Sequence, residues 1–225
     1  QRIQTQKSLD ARLKCVYNYK EDSKKNLLDL IDSAGIARTE VFAGDYLDEP
    51  QITIISPTRD FYESLLPKFR NKLNFHWALE ALEENSYSSK DDISDETTLS
   101  KTLDDATDDT SAHNQSSIVF LLETDEKQKF LFTGDAGRDA FNHVPQTLLG
   151  KVKDVTWMKV PHHGSKHNLD STIIKHVNPE IAYISTEKQG KYLNRSTVFA
   201  LKKNGTKVYS TSQNRSTIRH GAIKT

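Results

Sequence analysis

The sequence predicts an α/β fold. Short apolar runs bounded by turn residues read as strands, and stretches with apolar residues at helical spacing read as helices. The two kinds of segment alternate along the chain, the pattern of a mixed sheet covered by helices.

From the amino terminus, Leu13, Cys15, Tyr17 and Tyr19 alternate with polar residues and predict a strand. Ser23 is placed to cap a helix carrying Leu27, Leu28, Leu30, Ile31 and Ala34, closed by Gly35. Val41-Phe42 and Ile52-Thr53-Ile54-Ile55 read as strands, Gly44-Asp45 as a turn between them, and Pro57 as the end of the second. Phe61, Leu65, Leu66 and Phe69 fall on one face of a helix, and a second helical pattern covers Leu73 to Leu82.

A change of composition follows. Between Asp91 and Asp109 there are eight acids against Lys101, and the surroundings are rich in Ser, Thr and Asp. Residues 86–112 are therefore expected to form a mobile, disordered acidic insert. The alternative, an acidic metal-binding loop, lacks the glycine turn and carboxylate spacing of a Ca2+ site.

The most informative motifs lie beyond it. Phe130-Leu131-Phe132-Thr133 reads as a strand, and Gly134-Asp135 places a carboxylate at its end. Trp157-Met158-Lys159-Val160 reads as another, running into Pro161-His162-His163-Gly164-Ser165. Neutral imidazole is the commonest protein metal ligand, and a strand end holds it rigidly. Two successive strands that each end in a ligand type predict a metal site at one sheet edge; the structural alternative is a sheet with ordinary polar loops.

These motifs carry a resemblance. From Asn114 to about Thr211 the chain resembles the metallo-β-lactamase-fold hydrolases, above all the branch represented by the hydrolase domain of the competence protein ComEC. The resemblance rests on Asn114-Gln115-Ser116-Ser117 before a strand, Thr133-Gly134-Asp135 after the next, and Pro161-His162-His163-Gly164-Ser165 after the one following. Asn178-Pro179-Glu180-Ile181-Ala182-Tyr183-Ile184-Ser185 matches a further strand, Val198 to Asn204 a helix ending at Gly205, and Val208 to Thr211 the last strand. It implies a four-layer αββα fold, of which residues 1–225 would supply the middle and C-terminal half as one partial domain. It also implies metal-dependent hydrolysis by a dinuclear site, with Zn2+ or Mn2+ as the ion. Asp135 is the expected bridging ligand and His163 a ligand of the second ion; His162 then faces substrate or supports the ligands, and the reverse assignment of the two histidines stays open. His113 is a further candidate ligand. Ser165, His167, Asn114 and Ser117 are candidate substrate contacts, and Ser165 can instead bond a turn amide.

The family's His-x-His-x-Asp-His cluster does not occur in the sequence, and none of the eight histidines has that spacing. The chain starts at Gln1 and its one methionine is Met158, so it is expected to be a fragment or processed product, binding at most one metal weakly. A His-Pro pair that relatives carry before the late helix is replaced by Tyr192-Leu193.

Composition bounds the remainder. Formal net charge is zero, with 31 basic and 31 acidic residues, yet no acid follows Glu187 while Lys202, Lys203, Lys207 and other cations do. That tail is either a solvated face or a rim for nucleic acid or another polyanion. One cysteine, Cys15, excludes an internal disulfide and fits a cytoplasmic location, and no apolar run is long enough to span a bilayer. The function that the resemblance implies is phosphodiester hydrolysis, with nucleic acid as a candidate substrate. The alternatives are a hydrolase of a small ester, lactone or phosphoryl-choline-like group, and an inactive binding or scaffold module.

Overall fold

Every parallel strand pair needs a crossover, and the segments between the central strands here each contain a helix. The computed structural model describes residues 27–48, 50–70, 96–186, 192–211, 218–219 and 222–223. In it β1 (Tyr46–Leu47), β2 (Ile52–Ser56), β3 (Val119–Glu123) and β4 (Lys129–Phe132) pair antiparallel in chain order. From β4 the sheet continues in parallel through β5 (Trp157–Lys159), β6 (Ile181–Ile184) and β7 (Lys207–Ser210). Two short strands, β8 (Ile218–Arg219) and β9 (Ala222–Ile223), close the edge, β9 pairing with β7. The protein is thus α/β, with one mixed sheet among the described residues.

The helices are α1 (Leu27–Ser33), α2 (Arg59–Arg70), α3 (Glu96–Asp104), α4 (Ala112–Gln115), α5 (Arg138–Asn142), α6 (Gln146–Leu149), α7 (Ser171–Val177) and α8 (Arg195–Lys203). Apolar spacing explains the longer ones. Phe61, Leu65 and Phe69 line the buried side of α2, and Val198 and Leu201 that of α8. Asp170 caps α7 by accepting from the Ile173 amide at 2.8 Å. None of the described helices is long and apolar enough to cross a membrane.

The period of two along each strand separates the sheet faces. Val119, Leu121, Leu131, Met158, Ala182, Ile184 and Val208 are buried in one cluster with residues of α2, α3, α7 and α8. On the other face the rings of Phe120, Phe132, Trp157, Tyr183 and Tyr209 form a row across β3 to β7, each half-buried except Tyr183, which is exposed. Successive centroids lie 4.7, 5.1, 5.6 and 5.2 Å apart, with the first and last pairs stacked.

Some expectations fall beyond the described residues, and two need correction. Residues 86–95, the Leu13–Tyr19 strand and the Leu73–Leu82 helix lie outside the described residues. Residues 96–112 are not a detached insert: α3 packs against α7 and α8, and Leu103 is fully buried. Leu99 and Leu103, four residues apart, give this acidic segment an apolar helix face that outweighs its charge. Val41-Phe42 is not a strand; the short β1 lies after the Gly44-Asp45 turn, where Asp45 accepts from the Phe42 amide at 2.8 Å.

Candidate active site

Parallel strands all end on one side of a sheet, and ligand sites in open α/β sheets form there. Asp135 follows β4, the Pro161–Gly164 turn follows β5, and Ser185 follows β6. The turn is strained. His162 (φ 42°, ψ 51°) and His163 (φ 56°, ψ 21°) both sit in the left-handed region, followed by Gly164 at φ 86°. A left-handed conformation costs a non-glycine residue about 1–2 kcal/mol. Neighbours hold the turn: the His162 amide donates to the Gly134 carbonyl at 3.3 Å and the Asn194 amide to the Gly164 carbonyl at 3.2 Å.

The two histidines meet different surroundings. His162 places Nδ1 3.2 Å from Asp109 Oδ2. Asp109 is a hub: it accepts from Asn114 Nδ2 at 2.8 Å, Asn168 Nδ2 at 2.9 Å and the Ser111 amide at 2.8 Å. Its main-chain carbonyl accepts from Gln115 Nε2. Burial alone would raise the Asp109 carboxyl, but the hydrogen bonds from His162, Asn114, Ser111 and Asn168 outweigh it and hold it below the usual range. Burial opposes the charge on His162, yet the bond to Asp109 and the charges of Asp109 and Asp135 raise its pKa above the ordinary value.

His163 is set by one bond, from its Nδ1–H to the Ser185 carbonyl. In a neutral imidazole that bond selects the tautomer with the lone pair on Nε2, the form in which histidine binds metals. Tyr192 packs on both imidazoles, with centroids 4.9 Å from His162 and 5.4 Å from His163.

Asp135 sits in a built turn. Gly134 is at φ 55°, and a Cβ on it would lie 2.9 Å from the Ser117 Cβ; Ser117 Oγ accepts from the Asp135 amide at 3.2 Å. The Asp135 carboxylate faces Lys159 Nζ at 3.4 Å, and the same ammonium donates to the Gly134 carbonyl. Burial lowers the Lys159 pKa, and Asp135 opposes that shift.

The predicted residues therefore divide. Asp135, His162 and His163 come to one edge. Asn114 and Ser117 also reach it, as supports of Asp109 and Asp135. Ser165 takes the turn role, accepting from the His167 amide at 3.2 Å. His167 turns to Thr107, with Nδ1 2.6 Å from its carbonyl, and burial lowers its pKa. His113 does not join the edge in the contacts it shows: its ring stands edge-on to Phe69 at 4.8 Å. Asp109, Lys159, Asn168 and Tyr192 belong to the site although the motifs did not single them out as site residues.

Asp135 and His163 offer two donors, whereas a catalytic zinc normally has three protein ligands. Among the described residues no three His, Cys, Asp or Glu converge as a metal group, and an ammonium already faces Asp135. The described residues alone do not fit a complete metal centre. Comparison with family models finds no match, and neither curated proteins nor solved structures give one.

Proposed function

We propose that the chain is a hydrolase of phosphodiester or related anionic ester bonds, working at the carboxyl edge of β4 to β6. The observation that carries the reading is His163, whose Nδ1 is committed to the Ser185 carbonyl while Nε2 has no hydrogen-bond partner among the described residues. At the same sheet edge, Asp135 offers a half-exposed carboxylate. His162, oriented through Nδ1 by Asp109, is the group to exchange a proton with a leaving group or a water. Lys159 supplies a positive charge toward an anionic substrate. The resemblance to metallo-β-lactamase-fold hydrolases supports the same assignment, with Zn2+ or Mn2+ requiring ligands beyond Asp135 and His163. The aromatic sheet face supports the four-layer architecture, since a second sheet packs on such a face about 10 Å away.

A second reading, a binding module without catalysis, is favoured by the Lys159–Asp135 ion pair, which sets an ammonium where a metal cation would sit.

Hydrolysis of bis(p-nitrophenyl) phosphate, single-stranded DNA and p-nitrophenyl acetate by the folded chain separates these readings, with and without added Zn2+ or Mn2+. The hydrolase reading expects turnover of the phosphodiesters that His163→Ala and Asp135→Ala abolish. No turnover of any substrate under any metal condition overturns it in favour of the binding module. Turnover of the acetate alone assigns the small-ester alternative.

A further inference from the structure

The Asp109–His162 pair depends on two loops that meet nowhere near each other in sequence. One runs from the end of α3 through Asp108 and Asp109; the other is the 166–169 segment that carries Asn168. Their backbones touch directly, the Asp109 amide donating to the His167 carbonyl at 3.1 Å. One side chain reaches both. Arg138, at the start of α5, is 6% exposed.

A guanidinium has five N–H donors in a fixed fork, and Arg138 has five acceptors around it. Nε donates to the Leu169 carbonyl at 3.1 Å. Nη1 donates to the Ala106 carbonyl at 3.0 Å and pairs with Asp108 Oδ1 at 2.9 Å. Nη2 donates to the Leu103 carbonyl at 2.7 Å and the Lys166 carbonyl at 3.1 Å. Three of these acceptors lie on the segment that ends in Asp109, and the other two bracket Asn168.

We propose that Arg138 is a positioning residue, clamping the 103–109 and 166–169 segments so that Asp109 and Asn168 hold His162 in its working orientation. The inference rests on the reading of this edge as the working site, and it assigns Arg138 no contact with substrate. Lysine cannot replace it, because an ammonium has three donors and no planar fork.

The Nδ1 proton of His162 reports the clamp without reference to catalysis. In 15N-labelled protein it is expected to give a downfield imidazole resonance, slowed in exchange by its bond to Asp109. Arg138→Lys is expected to lose that resonance while near-ultraviolet circular dichroism and cooperative melting show a folded chain. Asp108→Ala, which removes one acceptor of the five, is expected to keep it. A folded Arg138→Lys variant with the resonance unchanged overturns the proposal. Where that variant does not fold, native-state hydrogen exchange of the unaltered protein decides. The Arg138 Nε–H, the Asp109 amide and the Asn168 side-chain amide should then open as one cooperative unit. Asp109 and Asn168 opening independently of Arg138 would sink the clamp. The expected resonance pattern without any hydrolysis leaves the clamp standing and removes only the hydrolase reading; hydrolysis with no effect of Arg138 does the reverse.

Discussion

Two adjacent histidines divide the site into unlike halves. Around His162 the carboxylate is saturated: Asp109 takes four donors and is itself largely buried. Around His163 and Asp135 they are open. One imidazole nitrogen is without a hydrogen-bond partner among the described residues, and the Asp135 side chain is 41% exposed. The saturated half has the character of a structural keystone; the open half has room for a ligand. Substitutions in the open half should act on function with little change in stability, and those in the saturated half should lower stability as well.

The largest contrast is expected in activity. Asp135→Ala and His163→Ala should lower phosphodiester turnover on the order of 100-fold or more while moving stability by less than about 0.5 kcal/mol. Initial rates and urea denaturation of the same preparations check both. A large loss of stability in either variant would erase the distinction between the halves.

On the saturated side, Asp109→Asn should cost about 1–3 kcal/mol in denaturant unfolding, since it weakens a hub that satisfies several buried donors. The loss should depend on pH. The raised pKa of His162 gives stabilisation that is full below the ordinary 6.5 and fades as pH rises through the folded value. The lowered pKa of Asp109 gives stabilisation that is full above the ordinary 3.8 and fades as pH falls through its folded value. The difference between the unaltered chain and Asp109→Asn should therefore be greatest between these two values and shrink on both sides. A difference flat across that range up to alkaline pH would show that the pair carries no charge interaction.

Gly137→Ala tests the same half from behind. A Cβ there would stand 2.2 Å from Gln115 Nε2, the group that donates to the Asp109 carbonyl. Displacing Gln115 should cost about 1–3 kcal/mol, measured by thermal or chemical unfolding.

The smallest effect belongs to the aromatic sheet face. Tyr183→Ala should cost less than about 1 kcal/mol, because the residue is 38% exposed and gains only part of its burial energy. Leu131→Ala, on the helix-covered face, supplies the reference at about 2–5 kcal/mol. Equal losses from the two, measured by denaturant unfolding, would show that the aromatic face is covered in the folded protein.

How much of this was legible in the sequence follows from where the determinants lie. Asp135 and the paired histidines were visible because a strand and its end are contiguous, so local pattern is enough. Asp109 was hidden because its role comes from four donors spread from Ser111 to Asn168. Within a run of acids it looks like solvated charge. The signal that could have exposed it was the Leu99 and Leu103 spacing, which argues for a packed helix just upstream. Arg138 was hidden for a related reason: main-chain carbonyls are most of its partners, and carbonyls leave no trace in residue identity. The α/β class was legible from alternation alone, whereas the number of layers depends on what meets the aromatic row, which no local pattern specifies.

The left-handed backbone at His162 and His163 has a consequence for the order of assembly. A free peptide of this sequence would occupy extended or right-handed conformations, because two successive left-handed L-residues are disfavoured. The turn needs the Gly134 carbonyl from after β4 and the Ser185 carbonyl from after β6, so it closes only once three parallel strands are aligned. Such non-local pairing forms late and slowly. The fixed arrangement of the two imidazoles is therefore a property of the finished sheet, and a partly folded chain does not hold them in it.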